Sequence, residues 1–183
     1  MIDYQLLADS VDYYAPRFRR IEAPWTVSEY VNNLTMPEGK QAYKLEHNKK
    51  CLVGSGEQSF LYLQIKGFLP PGKYQTITPC LRDEQFSIIH TKYFMKNELI
   101  VTDDVSEDQL QFVVNICHDF FVRVLGQKIL QVKTEDGYDL MWNDIELGSY
   151  GIRDFQFIRY IYATGCAEPR TSYCKKLING LSS

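Results

Sequence analysis

The sequence predicts an α+β fold, a mainly antiparallel sheet flanked by helices. Two observations lead there. Strand-like and helix-like segments follow one another in mixed order, without repeated βαβ units. Two strand-like runs, Tyr74–Arg82 and Lys92–Val101, are joined by a turn from Glu84 to Ile89, the pattern of one long antiparallel hairpin. The 183 residues suffice for a hydrophobic core, and a single domain over residues 1–183 is expected.

The elements follow from local patterns. Residues 3–14 carry Leu6, Leu7, Val11 and Tyr14 at helical spacing, and Pro16 ends the run. Phe18–Ala23 reads as a strand stopped by Pro24, and Tyr43–Glu46 and Cys51–Val53 as short strands. Ser55 is placed to cap a helix through Leu63, which Gly67 and Pro70-Pro71-Gly72 stop. The clearest helix is Ser106–Leu125. Ser106 and Gln109 make a capping box, Glu107 and Asp108 suit the positive helix end, and Gly126 closes it. Strands are expected at Lys128–Lys133, Leu140–Leu147 and Phe155–Tyr162, then a helix at Ala167–Ile178.

Several function classes are excluded or unsupported. A net charge of −3 argues against a broad electrostatic grip on nucleic acid. No stretch approaches the roughly 20 apolar residues of a membrane helix, so no membrane partner is expected. Met1-Ile2-Asp3-Tyr4 lacks a basic leader, and the five cysteines contain no C-x-x-C pair. A reducing, cytoplasmic setting is therefore expected. Neither a G-x-G-x-x-G after a strand nor a G-x-x-x-x-G-K-[ST] occurs.

The hairpin carries the chemistry. Arg82 projects from the end of one strand, Glu84 sits at the mouth of the turn, and His90 and Phe94 share a face on the return. A planar cation for phosphate oxygens, a carboxylate for an exocyclic amine, a second cation and an aromatic plate suit a nucleotide. The same residues also read as a surface hairpin with scattered charges over a core phenylalanine.

The pattern Leu81-Arg82-Asp83-Glu84, a turn, His90 through Phe94 and then Glu98 resembles motif two of the class II aminoacyl-tRNA synthetases. Ala163-Thr164-Gly165-Cys166-Ala167-Glu168-Pro169-Arg170 is similar to motif three, with Gly165 and Arg170 matching and alanine at two glycine positions. Small residues are expected there because backbone and nucleotide approach closely, and the alanines give up positive-φ freedom. Phe18-Arg19-Arg20-Ile21-Glu22-Ala23-Pro24 resembles motif one, the homodimer element of that family. Val53-Gly54-Ser55-Gly56-Glu57 resembles the loop whose glutamate receives the substrate ammonium. Ile145 to Ser149, with Asp154-Phe155-Gln156 and Arg159 beyond, resembles the segment before motif three in seryl enzymes.

This resemblance, closest to the seryl, threonyl and prolyl branch, spans Phe18 to Thr171. It implies ATP and Mg²⁺ as cofactors and Arg82 and Arg170 as catalytic groups on the phosphates. It further implies Glu84, His90 and Phe94 at the nucleotide, Glu146 as the metal ligand, and Glu57 and Ser149 at the amino acid. For Asp154, Gln156 and Arg159, a structural salt-bridge role is at least as good a reading. The implied partners are a small-molecule amino acid, a second copy of the chain, and an acceptor such as a tRNA acceptor end or a carrier protein. Neither an anticodon-binding domain nor a coiled-coil arm is recognised, so a minimal core is expected, activating an amino acid for a non-cognate acceptor. The alternative is a non-catalytic relative that binds nucleotide, tRNA or a protein partner as a regulatory subunit.

Overall fold

The computed structural model describes residues 1–36, 39, 41–83, 92–155 and 157–181. Helix α1 (Tyr4–Tyr14) starts where the Asp3 carboxylate accepts from the Leu6 N–H, and buries Leu6, Leu7, Val11 and Tyr14, its 3.6-residue stripe. The chain then forms β1 (Arg19–Arg20), β2 (Thr26–Ser28), α2 (Glu29–Asn33), β3 (Lys50–Leu52) and α3 (Gly56–Ile65). The hairpin β4 (Lys73–Leu81) and β5 (Tyr93–Val101) leads into α4 (Glu107–Leu125). β6 (Leu130–Lys133), β7 (Gly137–Trp142), β8 (Ile145–Phe155), β9 (Ile158–Glu168) and α5 (Arg170–Leu181) complete the chain.

Seven strands form one sheet in the order β1-β4-β5-β9-β8-β7-β6. β1 lies parallel to β4, and every other pairing in this sheet is antiparallel. β2 and β3 pair separately. The central strands are buried on both faces, and their side chains divide with period two. On β5, Leu99 and Val101 join the core under α1 and α4, while Ile100 joins the core under α2 and α3. On β9, Ile161 and Ala163 face the first core, and Tyr160 and Tyr162 the second. Among the described residues, no helix is long and apolar enough to cross a membrane.

The α+β architecture and the central hairpin agree with the sequence. So does the α4 helix, whose Ser106 hydroxyl accepts from the Gln109 N–H and whose Gly126 is left-handed at φ 61. Some strand boundaries differ. Leu140–Leu147 is not one strand but the tip of a hairpin: Trp142 pairs with Ile145, and Asn143 and Asp144 sit at φ 43 and 62. That is the two-residue turn that matches strand twist, here built from Asn-Asp instead of Asn-Gly. Likewise, Phe155 and Ile158 pair across a second hairpin, so Phe155–Tyr162 is divided between β8 and β9. The strand expected at Phe18–Ala23 shrinks to Arg19–Arg20, because only these residues lie alongside Tyr74 and Gln75. The one expected at Tyr43–Glu46 is a single bridge between Lys44 and Cys51.

Candidate functional site

The site lies on the sheet face covered by α3, where strand ends and one loop leave the face open. Even-numbered residues of β5 point to this side, which brings Lys96 and Glu98 beneath the first turn of α3. On β8 the corresponding residues are Ser149, Gly151 and Arg153, and on β9 they are Tyr160, Tyr162 and Thr164. The cavity has a volume of about 290 Å³.

A short loop positions α3. Ser55 caps the helix by accepting from the Glu57 N–H at 3.2 Å, and the same hydroxyl donates to the Glu98 carboxylate at 2.9 Å. Lys96 Nζ approaches the other Glu98 oxygen at 2.9 Å. Thus the almost fully buried Glu98 keeps its charge compensated. The loop is locked from behind. Gln58 Oε1 accepts from the Gly54 N–H at 2.8 Å and from Asn32 Nδ2 at 3.1 Å, while Gln58 Nε2 donates to the Asn32 carbonyl at 3.0 Å. Gly56 has no room for a side chain, since a Cβ there would lie 2.9 Å from Thr78 Oγ1 and 3.1 Å from Glu98 Oε2.

Glu57 projects from the first turn of α3 into the cavity wall, and its Oε1 is already engaged. Arg153 Nε and the Tyr160 hydroxyl each donate to it at 2.7 Å. Burial raises the Glu57 carboxyl above its ordinary range, and the neighbouring Glu98 charge adds to this, while Arg153 and the Tyr160 hydroxyl act in the opposite direction. Burial and the Glu57 charge also push the Tyr160 phenol well up, so it remains a donor. The Arg153 guanidinium lies over the Tyr162 ring at 4.7 Å.

Four of the sequence-predicted residues line this one cavity: Glu57, Arg82, Glu146 and Ser149. Arg82 Nε donates to the Gly54 carbonyl at 2.8 Å, which ties the end of β4 to the α3 loop. Phe94 lies against the Arg82 guanidinium, 5.2 Å from ring centre to carbon, and so braces that cation. Arg170 Nη1 donates to the Glu146 carbonyl at 2.8 Å and to its carboxylate at 3.1 Å. Glu84 and His90 lie outside the described residues. Asp154 and Arg159 form an exposed ion pair at 3.6 Å across the β8–β9 hairpin, a structural role.

The chain aligns with solved structures over almost all its length. A pyrrolysyl-tRNA synthetase from Desulfitobacterium hafniense matches with a TM-score of 0.72 and 16% identity, over 94% of this chain and 68% of that one. A seryl-tRNA synthetase from Pyrococcus horikoshii, solved with ATP, matches with a TM-score of 0.73 and 17% identity, over 94% of this chain and 49% of that one. A cytoplasmic serine-tRNA ligase from Naegleria fowleri, in complex with AMP, gives 0.70 and 15%, over 93% and 52%. The fold is that of a class II aminoacyl-tRNA synthetase catalytic core. No protein-family model and no curated protein matches the sequence. The chain spans about two thirds of the pyrrolysyl enzyme and about half of the seryl enzymes.

Within the class II fold, the motif-three-like segment runs along β9 into α5. Gly165 is the extra residue of a β-bulge there, skipped between the pairs Asn97–Cys166 and Glu98–Thr164. The structure gives a packing reason for glycine here. Gly165 has no positive φ, and the group it approaches is the Tyr14 ring, whose hydroxyl donates to the Gly165 carbonyl at 3.0 Å. Sequence reading missed Lys96 and Arg153, and did not single out Glu98 as a site residue. Lys96 and Glu98 share strand parity with Phe94, a usable signal, whereas Arg153 is 96 positions from Glu57 and carried none.

The donor set also bears on Mg²⁺. Glu146 offers a half-exposed hard oxygen, but no group of three or more metal-ligating side chains occurs among the described residues. A carboxylate oxygen is a chemically suitable donor for Mg²⁺, a hard ion that takes oxygen ligands.

Proposed function

We propose that this chain is an adenylate-forming ligase that binds ATP and activates the carboxylate of an amino acid. The single observation behind this reading is the convergence of Glu57, Arg82, Glu146 and Ser149, from distant parts of the sequence, on one cavity. In the reaction, a substrate carboxylate oxygen bonds to the α-phosphorus, the bond to the β-phosphate bridge breaks, and pyrophosphate leaves. No protein nucleophile is required. The protein's contribution is positioning and stabilisation of charge on phosphate oxygens. Arg82, fixed by Gly54 and Phe94, serves the α-phosphate, and Arg170 serves the terminal phosphate. Glu146 would hold Mg²⁺, which would supply further charge neutralisation when bound. Glu57 and Ser149 line the acid pocket, and Glu84 and His90 belong to the nucleotide side.

The acceptor in this reading is a non-cognate one, such as a carrier protein, in a cytoplasmic setting; a tRNA acceptor end is the acceptor if the chain is instead a minimal synthetase. The reading includes a homodimer built on the motif-one-like segment ending at Pro24; a monomer at micromolar concentration in sedimentation would remove that part. One observation favours the non-catalytic alternative: Arg170 and Glu146, both assigned to the phosphates, are bonded to each other, so nucleotide must separate them. ATP–pyrophosphate exchange decides between the two. Exchange with pooled amino acids that disappears in Arg82→Ala, with unfolding unchanged, supports the ligase. Exchange that survives the substitution refutes the role of Arg82, and ATP binding without exchange supports the regulatory relative.

A further inference from the structure

We infer that the acid activated here carries a second carboxylate, bound by the terminal amino groups of Arg153. The inference rests on the proposed acid pocket and names the class of its substrate. Three observations carry it. The first is that Arg153 is fixed before any ligand arrives. Its Nε is bonded to Glu57 at 2.7 Å, Tyr160 shares the same carboxylate oxygen, and the guanidinium lies on the Tyr162 ring. Gly151 makes that stack possible, since a Cβ at this position would lie 2.7 Å from the Tyr162 hydroxyl and 2.8 Å from its ring.

The second observation concerns what remains available. Nε is the Arg153 atom that makes the hydrogen bond, the side chain is one-third exposed, and it lines the cavity. Among the described residues, no acceptor is hydrogen-bonded to its two terminal amino groups. A planar guanidinium anchored through Nε and open at both Nη atoms is a receptor for two carboxylate oxygens.

The third is the charge balance around it. The buried carboxylates of this cavity already have cations: Glu57 has Arg153, and Glu98 has Lys96 together with the Ser55 hydroxyl. Asp83 and Asp136, which also line the cavity, are exposed to solvent at its mouth. A carboxylate reaching Arg153 shares this cation with Glu57: Glu57 occupies Nε, and the incoming group takes the two terminal amino groups on the far side of the guanidinium. Arg153 lines the cavity together with Glu57 and Ser149, the residues proposed for the acid pocket.

The test uses aspartate and glutamate, their monoamides asparagine and glutamine, and the apolar acids alanine and valine. Binding is read by calorimetry without ATP, and exchange is read with ATP. The dicarboxylic acids are expected to bind and exchange at least tenfold better than the monoamides and apolar acids. Arg153→Lys, which retains a cation for Glu57 and so protects the fold, should abolish that preference by raising KM far more than it lowers kcat. Equal binding of the three classes, preference for an apolar acid or monoamide, or an unchanged preference in Arg153→Lys overturns the inference. Preferential binding of the dicarboxylic acids without exchange overturns the ligase reading and supports the receptor.

Discussion

Ser55→Ala removes one hydroxyl that holds two things at once. That hydroxyl accepts from the Glu57 N–H as the cap of α3, and donates to the buried Glu98 carboxylate at 2.9 Å. Loss of a helix cap costs about 1 kcal/mol, and loss of a hydrogen bond to a buried charge about 1.5–3 kcal/mol. Because Ser55 and Glu98 are 7% and 1% exposed, water cannot readily replace the missing donor. The combined loss should be about 2–4 kcal/mol, lowering Tm by roughly 5–15 °C for a domain of this size. Urea unfolding followed by circular dichroism measures it, with the midpoint falling at unchanged slope. A loss below about 0.5 kcal/mol, the range of ordinary surface substitutions, would refute the claim that Ser55 supports both α3 and Glu98.

Two further predictions follow from packing and burial. Gly165→Ala places a Cβ 2.9 Å from the buried Tyr14 ring and 3.1 Å from the Asn97 carbonyl; it should cost about 1–3 kcal/mol, and an unchanged thermal midpoint would contradict this. Burial raises the Glu168 carboxyl above its ordinary 4.5, so its contribution to stability is full below 4.5 and lost as pH rises through the raised value. The stability advantage of wild type over Glu168→Gln should therefore be larger at about pH 4 than at about pH 7 by urea unfolding; a flat or opposite difference would show that burial does not govern this group.

The signals that could be read in advance were short-range ones. The α4 stripe from Leu110 to Phe121, its Ser106 cap and its Gly126 stop each depend on neighbours within a turn or two, and the structure retains all of them. The β4–β5 hairpin was visible because its two strands are long and follow one another in the chain. The β7–β8 turn was missed because Asn143-Asp144 lies between the strand-like runs Leu140–Trp142 and Ile145–Leu147 and lacks the glycine that marks such a turn. The motif-like segments were readable as an ordered series, and they pointed to the class II architecture.

What the sequence determined by itself was the fold class and the main helices, because periodicity, capping and motif order are written along the chain. Tertiary structure alone decided the partners. It set Arg153 on Glu57, Phe94 beneath Arg82, Arg170 on Glu146 and the Tyr14 ring against Gly165. These contacts depend on how strands and helices register against one another, and at Gly165 on the bulge at Asn97/Glu98. A single-residue shift turns a side chain to the opposite face of the sheet, and no local pattern records that choice.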